Sequence, residues 1–228
     1  MRSATEGYAA QHLLVEGLRR EGAEIIGFKL GLTDLSAQTL LGHPQPLVGR
    51  LLQGAQYWSS DIIPINAFMA PRVEPEIAFI ISRTLGDPEM DEAALLRGVG
   101  GLVAALEICD SSISGWPSNP WDALADNLCA GGFVMAREPA PATLDLANVL
   151  ARLKLNGQLR SEGAGSQCMG SPTRACLWLA RELARQGTPL RAGDIVLTGA
   201  LGPMQTVGSG DVIEVEIQGV GGLRCRFV

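Results

Sequence analysis

Two runs that read as buried strands carry three carboxylates, and that combination constrains the chain more than any other feature. Arg72-Val73-Glu74-Pro75-Glu76-Ile77-Ala78-Phe79-Ile80-Ile81 is rich in β-branched and aromatic residues and lacks a helical period. Side chains alternate across a strand, so Glu74 and Glu76 share one face while Val73, Ile77, Phe79 and Ile81 take the other. Pro75 cannot donate to a ladder, which places a sheet edge at that point. Glu107 lies within the apolar run Leu102–Cys109, led by Gly100-Gly101 and closed by Asp110-Ser111-Ser112. A lone acid there is costly to bury ionised without a partner. Glu-x-Glu on an edge strand more often forms a solvated face, and Glu107 is what argues for convergence instead. Three carboxylates with no Cys or His beside them make a hard oxygen set that suits Mg2+ or Mn2+, with positions left for water and substrate.

The bounds are ordinary. The chain has 228 residues, 46% hydrophobic and 18% charged, which is enough for one substantial core. A net charge of -6 with no basic cluster argues against nucleic acid as a partner. No apolar stretch is long enough to cross a bilayer, and Met1-Arg2-Ser3-Ala4-Thr5-Glu6 has no signal-peptide core, so the expected setting is cytoplasmic, without a membrane partner. Cys109, Cys129, Cys168, Cys176 and Cys225 form no C-x-x-C pair and are expected to be reduced and mostly buried.

Ser3 and Glu6 make a capping box for a helix ending near Gly22, amphipathic through Leu13, Leu14 and Leu18. A strand over Glu24–Leu30 follows, then a short helix capped by Asp34 and stopped by Gly42. Asp91–Arg97 reads as another helix, and Gly115–Trp121 as a loop that could serve as a lid. The best-signalled helix runs from Pro172 to about Gln186, with Ser171 as N-cap and Gly187 just past its end. Strands are expected at Asp194–Thr198, Val212–Gln218 and Leu223–Val228. Several strands with few, unevenly spaced helices fit a β-rich α+β fold, one unit over 1–228 with an N-terminal helical region at about 1–22.

Two further places carry chemistry. Lys29, one of only two lysines, interrupts an apolar run before Gly31-Leu32-Thr33. An ammonium there pairs with an anion or has its pKa lowered, and the alternative is a lysine whose stem snorkels to the surface. The loop Ser161–Ser171 sits ahead of a helix N-terminus and offers backbone N-H groups to an anion; the alternative is a mobile connector. It has no phosphate-loop lysine and no clear preceding strand, so a nucleotide site is rejected. His12 falls in the first helix and His43 in a Gly-His-Pro turn, leaving little for His-based hydrolysis.

Gly31-Leu32-Thr33, Arg72–Ala78, Ala105-Leu106-Glu107, Ala125-Asp126-Asn127 and the stretch from Leu190 to Met204 resemble, in order, the hydratase/decarboxylase branch of the fumarylacetoacetate hydrolase superfamily. Gly199–Met204 and Trp178-Leu179-Ala180-Arg181 look like 2-hydroxypenta-2,4-dienoate (2-oxopent-4-enoate) hydratases of meta-cleavage pathways; Arg72–Phe79 looks as much like 4-oxalocrotonate decarboxylases. The resemblance implies a mixed sheet or roll of the fumarylacetoacetase C-terminal type with peripheral helices. It also implies a divalent metal, Mg2+ or Mn2+, on Glu74, Glu76 and Glu107, and a homo-oligomer or a complex with a sister enzyme. The implied reaction hydrates a small 2-hydroxydienoic acid to 4-hydroxy-2-oxopentanoate. The alternatives are decarboxylation of 4-oxalocrotonate and a weakly active supporting subunit. In that scheme Lys29 binds the carboxylate or shuttles a proton, Ser166 and the Gly165 backbone hold substrate oxygens, and Asp126 and Leu201 contact substrate. Two departures stand out: Leu47 occupies a place where such hydratases usually carry an acid, and the N-terminal helical region is shorter than usual.

Overall fold

The computed structural model describes residues 1–228. In chain order its elements are α1 (Ala4–Arg20), β1 (Ile25–Gly31), α2 (Leu35–Leu41), β2 (Leu47–Leu52), β3 (Gln56–Trp58), β4 (Ile62–Ile63), β5 (Arg72–Ile81), α3 (Glu92–Gly98) and β6 (Val99–Cys109). There follow α4 (Pro120–Ala125), β7 (Ala130–Met135), β8 (Leu150–Leu155), β9 (Gln158–Ala164), α5 (Pro172–Arg185), β10 (Ile195–Leu197), β11 (Gln205–Thr206), β12 (Val212–Ile217) and β13 (Gly221–Phe227). Eight strands form one mixed sheet in the order β2-β1-β10-β5-β6-β7-β3, with β11 also on β5. The remaining five form a second sheet, β4-β13-β12-β8-β9. In the first sheet β2 approaches β7 without pairing with it, so the sheet curls into a roll. One cluster of buried apolar residues runs through both sheets, from Ile77, Leu106 and Val134 to Leu153, Ile213 and Val215. This is the expected β-rich α+β architecture.

The two carboxylate-bearing runs are the paired strands β5 and β6, antiparallel and in register from Arg72 opposite Cys109 to Phe79 opposite Leu102. β5 is an interior strand, and its acids do not line a wet edge: Glu76 is 0% exposed and Glu107 1%. Pro75 nevertheless marks a local gap. β10 covers Ala78–Ile80 and β11 covers Arg72–Val73, so the flank of β5 between them has no strand partner. The missing N-H costs nothing there, and the Pro75 carbonyl accepts instead from Leu201 N-H at 2.8 Å.

Capping signals set the helix ends as expected: Asp34 accepts from Ala37 N-H and Gly42 turns left-handed at φ 66° after α2, and Ser171 caps α5 with Pro172 in its first turn. Ser3 likewise caps α1, but Glu6 accepts from Arg2 N-H, so the box is not reciprocal. Three expectations are overturned. α1 does not bury Leu13 and Leu14, which are exposed; it buries Gly7, Gln11 and Val15, because only the glycine face lets it lie against Leu124 and the Trp121 carbonyl of α4. The segment ending at Trp121 is not all loop, since Asn119 and Pro120 start α4. Nor is it a free lid: the Trp116 ring stacks on Arg72 and its Nε1-H donates to Ala70 O at 3.2 Å. A strand does precede the Gly165–Ser171 loop, namely β9, the second arm of a hairpin with β8. No helix is long and apolar enough to cross a membrane.

Candidate metal centre

β10 is only three residues long and stops at Leu197, which pairs with Lys29 on one side and Ala78 on the other. Beyond it the chain leaves the sheet through Thr198 and Gly199, opening the interior of the roll between β1 and β5. Gly199 is required there: its φ is 116°, and a Cβ would stand 2.3 Å from Thr33 Oγ1. Its N-H donates to Glu76 Oε2 at 2.9 Å.

Glu74 and Glu107 are directly opposite each other across β5 and β6, on the face that also carries Glu76. Lys29 crosses the inside of the roll to form an ion pair with Glu107, and its Nζ also donates to Leu128 O at 2.9 Å. Leu128 is held in place by unusual backbone. Asn127, Leu128 and Cys129 have φ of 51°, 56° and 55°, one left-handed turn without glycine, a conformation costing on the order of 1 kcal/mol or more per residue. The turn aims the Leu128 carbonyl at Lys29 and the Asn127 amide at β2.

Charge is unbalanced in this space: three carboxylates face one ammonium. Burial first, then repulsion by Glu107, pushes the Glu74 carboxyl up to about 7, and Glu76 is raised well above the usual range by burial, Glu107 and Glu74. Burial alone would lower the Lys29 ammonium, but the facing Glu107 and Glu74 outweigh it and hold it above its ordinary value. Of the two readings of Lys29, pairing with an anion or a lowered pKa, the structure shows the pairing. Glu76 Oε1 and Glu107 Oε2 are buried without a hydrogen-bond partner, the condition a divalent cation relieves. Glu74, Glu107 and Cys109 each place a ligand atom within 4.8 Å of the others. The donor set thus fits such a cation, with one correction: a cysteine does stand beside the carboxylates. Cys109 escapes sequence reasoning because a thiol at the end of an apolar run looks like core. Its thiol is pushed well up by burial, then by Glu107 and Glu74.

A cavity of about 310 Å3 opens beside Glu74, bounded by Leu30, Leu32, Thr33, Asp34, Gln167 and Ala200. Glu74 is half-buried and is the one cluster member that lines it. Four candidate contacts are not brought to it as expected. Gly165 donates its N-H to Val149 O at 3.0 Å and packs so closely that a Cβ would lie 1.7 Å from Leu146 O. Neighbouring amides are also engaged: Cys168 with Gly165 O, Met169 with Thr33 O and Gly170 with Ser166 O, so the loop is not an open anion cradle. Ser166 is exposed, while Gln167 beside it lines the cavity. Asp126 accepts from the Ser111 and Ser112 hydroxyls and from Ser112 N-H, fixing the turn after β6. Leu201 is fully buried in the core, leaving Ala200 and Gly202 at the cavity wall. Leu47 is also core, packed with Leu124 and Leu128.

A curled sheet around inward carboxylates is the setting of a known family. The chain belongs to the fumarylacetoacetate (FAA) hydrolase C-terminal family, whose model matches residues 39–228. It is 39% identical to the 2-keto-4-pentenoate hydratase of Paraburkholderia xenovorans (strain LB400), over 97% of this chain and 83% of that one. It is 34% identical to the 2-hydroxyhexa-2,4-dienoate hydratase of Comamonas testosteroni, over 96% of this chain and 85% of that protein. Among solved structures it resembles the 4-oxalocrotonate decarboxylase from Pseudomonas putida G7 complexed with magnesium and adipate, at a TM-score of 0.91 and 25% identity, covering 99% of this chain and 86% of that chain.

Proposed function

We propose that the protein is a divalent-metal-dependent hydro-lyase that hydrates 2-hydroxypenta-2,4-dienoate (2-oxopent-4-enoate) to 4-hydroxy-2-oxopentanoate in meta-cleavage degradation of aromatic compounds. The observation that carries this reading is the buried cluster of Glu74, Glu76, Glu107 and Lys29 beside a small cavity. Relatives named 2-keto-4-pentenoate hydratase, 37% to 39% identical over nearly the whole chain, supply the reaction.

Glu74, Glu76 and Glu107 would hold the cation, Mg2+ or Mn2+ by the hardness of the carboxylates. Bound there, it would supply Lewis-acid polarisation of the substrate carboxylate and the adjoining oxygen. Lys29 keeps its proton at Nζ, offsets one carboxylate charge and fixes the direction of Glu107, so it acts as a positioning residue rather than a proton shuttle. Leu30, Leu32 and Ala200 wall the cavity with carbon and limit water to its polar side, where Thr33, Asp34 and Gln167 sit.

A dicarboxylate such as 4-oxalocrotonate calls for a second cation facing the cavity. No Arg or Lys lines it. The Arg72 guanidinium lies 4.0 Å from the Trp116 ring centre and that of Arg50 lies 4.9 Å from Phe28, which favours hydration over decarboxylation. The test is to incubate the isolated, metal-loaded protein with 2-hydroxypenta-2,4-dienoate and, separately, with 4-oxalocrotonate, following dienol absorbance and product mass. A water-added product from the first and no CO2 from the second is expected. CO2 release from the second overturns the hydratase reading, and inertness toward both leaves a supporting subunit.

A further inference from the structure

β6 carries Glu107 and Cys109 two residues apart, hence on one face, and Glu74 lies directly across from Glu107 on β5. Strand periodicity therefore sets a thiol beside two carboxylates. Cys109 Sγ is 3.8 Å from Glu74 Oε1, and one ligand atom from each of the three side chains falls within 4.8 Å of the other two. Cys109 is 2% exposed and Glu107 1%, and Glu107 Oε2 is buried without a partner.

Hydration on a hard cation gives the sulfur nothing to do, because Mg2+ takes oxygen ligands and passes a neutral thiol by. Borderline and soft cations behave differently. Zn2+ and its heavier congener accept carboxylate and thiolate together, in a four-coordinate shell that two acids and one sulfur fill to within one position.

We propose that Cys109 makes this centre a mixed carboxylate-thiolate site, which binds a thiophilic divalent cation of the Zn2+ and Cd2+ class through sulfur as well as oxygen. The proposal rests on the reading of Glu74 and Glu107 as cation ligands. On capture a sulfur-metal bond forms, the S-H bond breaks and its proton leaves to solvent, with no change in oxidation state. Cys129, Cys168, Cys176 and Cys225 belong to no comparable group, so the sulfur signal belongs to one position.

The experiment titrates Cd2+ into the metal-stripped full chain and follows the ultraviolet sulfur-to-cadmium charge-transfer band. Cys109→Ser is titrated in parallel, and Mn2+ binding to both proteins is read by electron paramagnetic resonance. The wild type should develop the band to saturation at one Cd2+ per chain, and Cys109→Ser should not. The variant should lose roughly tenfold or more in Cd2+ affinity and keep its Mn2+ affinity within about twofold. An equal band in Cys109→Ser, Cd2+ bound by the wild type without a band, or no Cd2+ uptake each overturns the proposal. Failure of the wild type to bind Mn2+ sinks the hard-cation reading separately, since the Cd2+ band is scored without reference to it. If Cys109→Ser does not fold, as judged by circular dichroism, Cys109→Ala is put to the same measurements.

Discussion

Glu76 has no exposed surface, yet one of its oxygens is served only by Gly199 N-H and the other by nothing. A carboxyl in that position resists ionisation until a cation arrives, and the same holds more weakly for Glu74. The consequence for stability has a definite sign. An acid whose folded pKa exceeds its unfolded value binds more protons when folded, so its contribution is fully present below the unfolded value and is lost as pH rises through the folded one. Between the ordinary value of 4.5 and about 7 for Glu74, the metal-free protein should become less stable as pH rises. Thermal melts in chelator across that window test it, and Glu76→Gln should flatten the trend; a melting temperature that rises through the window contradicts it. Lys29 gives a second test at this scale. Lys29→Met leaves Glu107 buried without its counter-charge and should cost about 3–5 kcal/mol in denaturant unfolding of the metal-free protein. An unchanged midpoint would show that the Lys29–Glu107 pair adds nothing to stability. These residues were legible in the sequence because a charge inside an apolar run violates the run's own pattern. Gly165, Asp126 and Leu201 were misread for the opposite reason: their amide, carboxylate and side chain are committed to Val149, Ser111 and the core, and one-dimensional patterning carries no record of such partners.

β2 ends the sheet order, and an edge strand with open N-H and C=O groups invites pairing with another chain. Side chains close this one. Gln11 Nε2-H donates to Val48 O at 2.9 Å, the Tyr8 hydroxyl accepts from Val48 N-H at 3.1 Å, and Asn127 both accepts from Arg50 N-H at 2.8 Å and donates to Arg50 O at 2.9 Å. Asn127 thereby imitates a neighbouring strand from within the left-handed turn that also points Leu128 O at Lys29. Asn127→Gly keeps the positive φ permissible while removing both side-chain bonds, so it isolates the cap. It should cost about 1–3 kcal/mol by urea unfolding and favour self-association; full stability would mean that the cap is dispensable. Elements were readable wherever a local signal sufficed, as with Asp34 and Gly42 around α2 or Ser171-Pro172 at α5. Asn156-Gly157, with φ of 52° and 78°, was such a signal for the β8-β9 hairpin, but the polar residues Arg152, Lys154 and Arg160 on its exposed face obscured it. The buried face of α1 could not be read locally, because Gly7 and Gln11 are chosen by what α4 and β2 present to them.

At the scale of the molecule, the centre joins parts of the roll that are distant in sequence. Its acids come from β5 and β6, its ammonium from β1, and the carbonyl holding that ammonium from the turn before β7. Global unfolding must therefore disperse the ligands, and a cation that binds only the assembled set stabilises the whole fold by mass action. At a free concentration one hundred times the dissociation constant the gain is about 2.7 kcal/mol, which for a chain of this length raises the melting temperature by roughly 5–10 °C. Mn2+ or Mg2+ added to the stripped protein should produce that shift, and a chelator should reverse it. Glu107→Gln should abolish it, because the amide keeps the shape of the side chain but removes the charge that the cation and Lys29 both answer. A shift that survives in Glu107→Gln would place the cation elsewhere in the roll. No shift in either protein would mean that the three acids are neutralised by protons and by Lys29 alone.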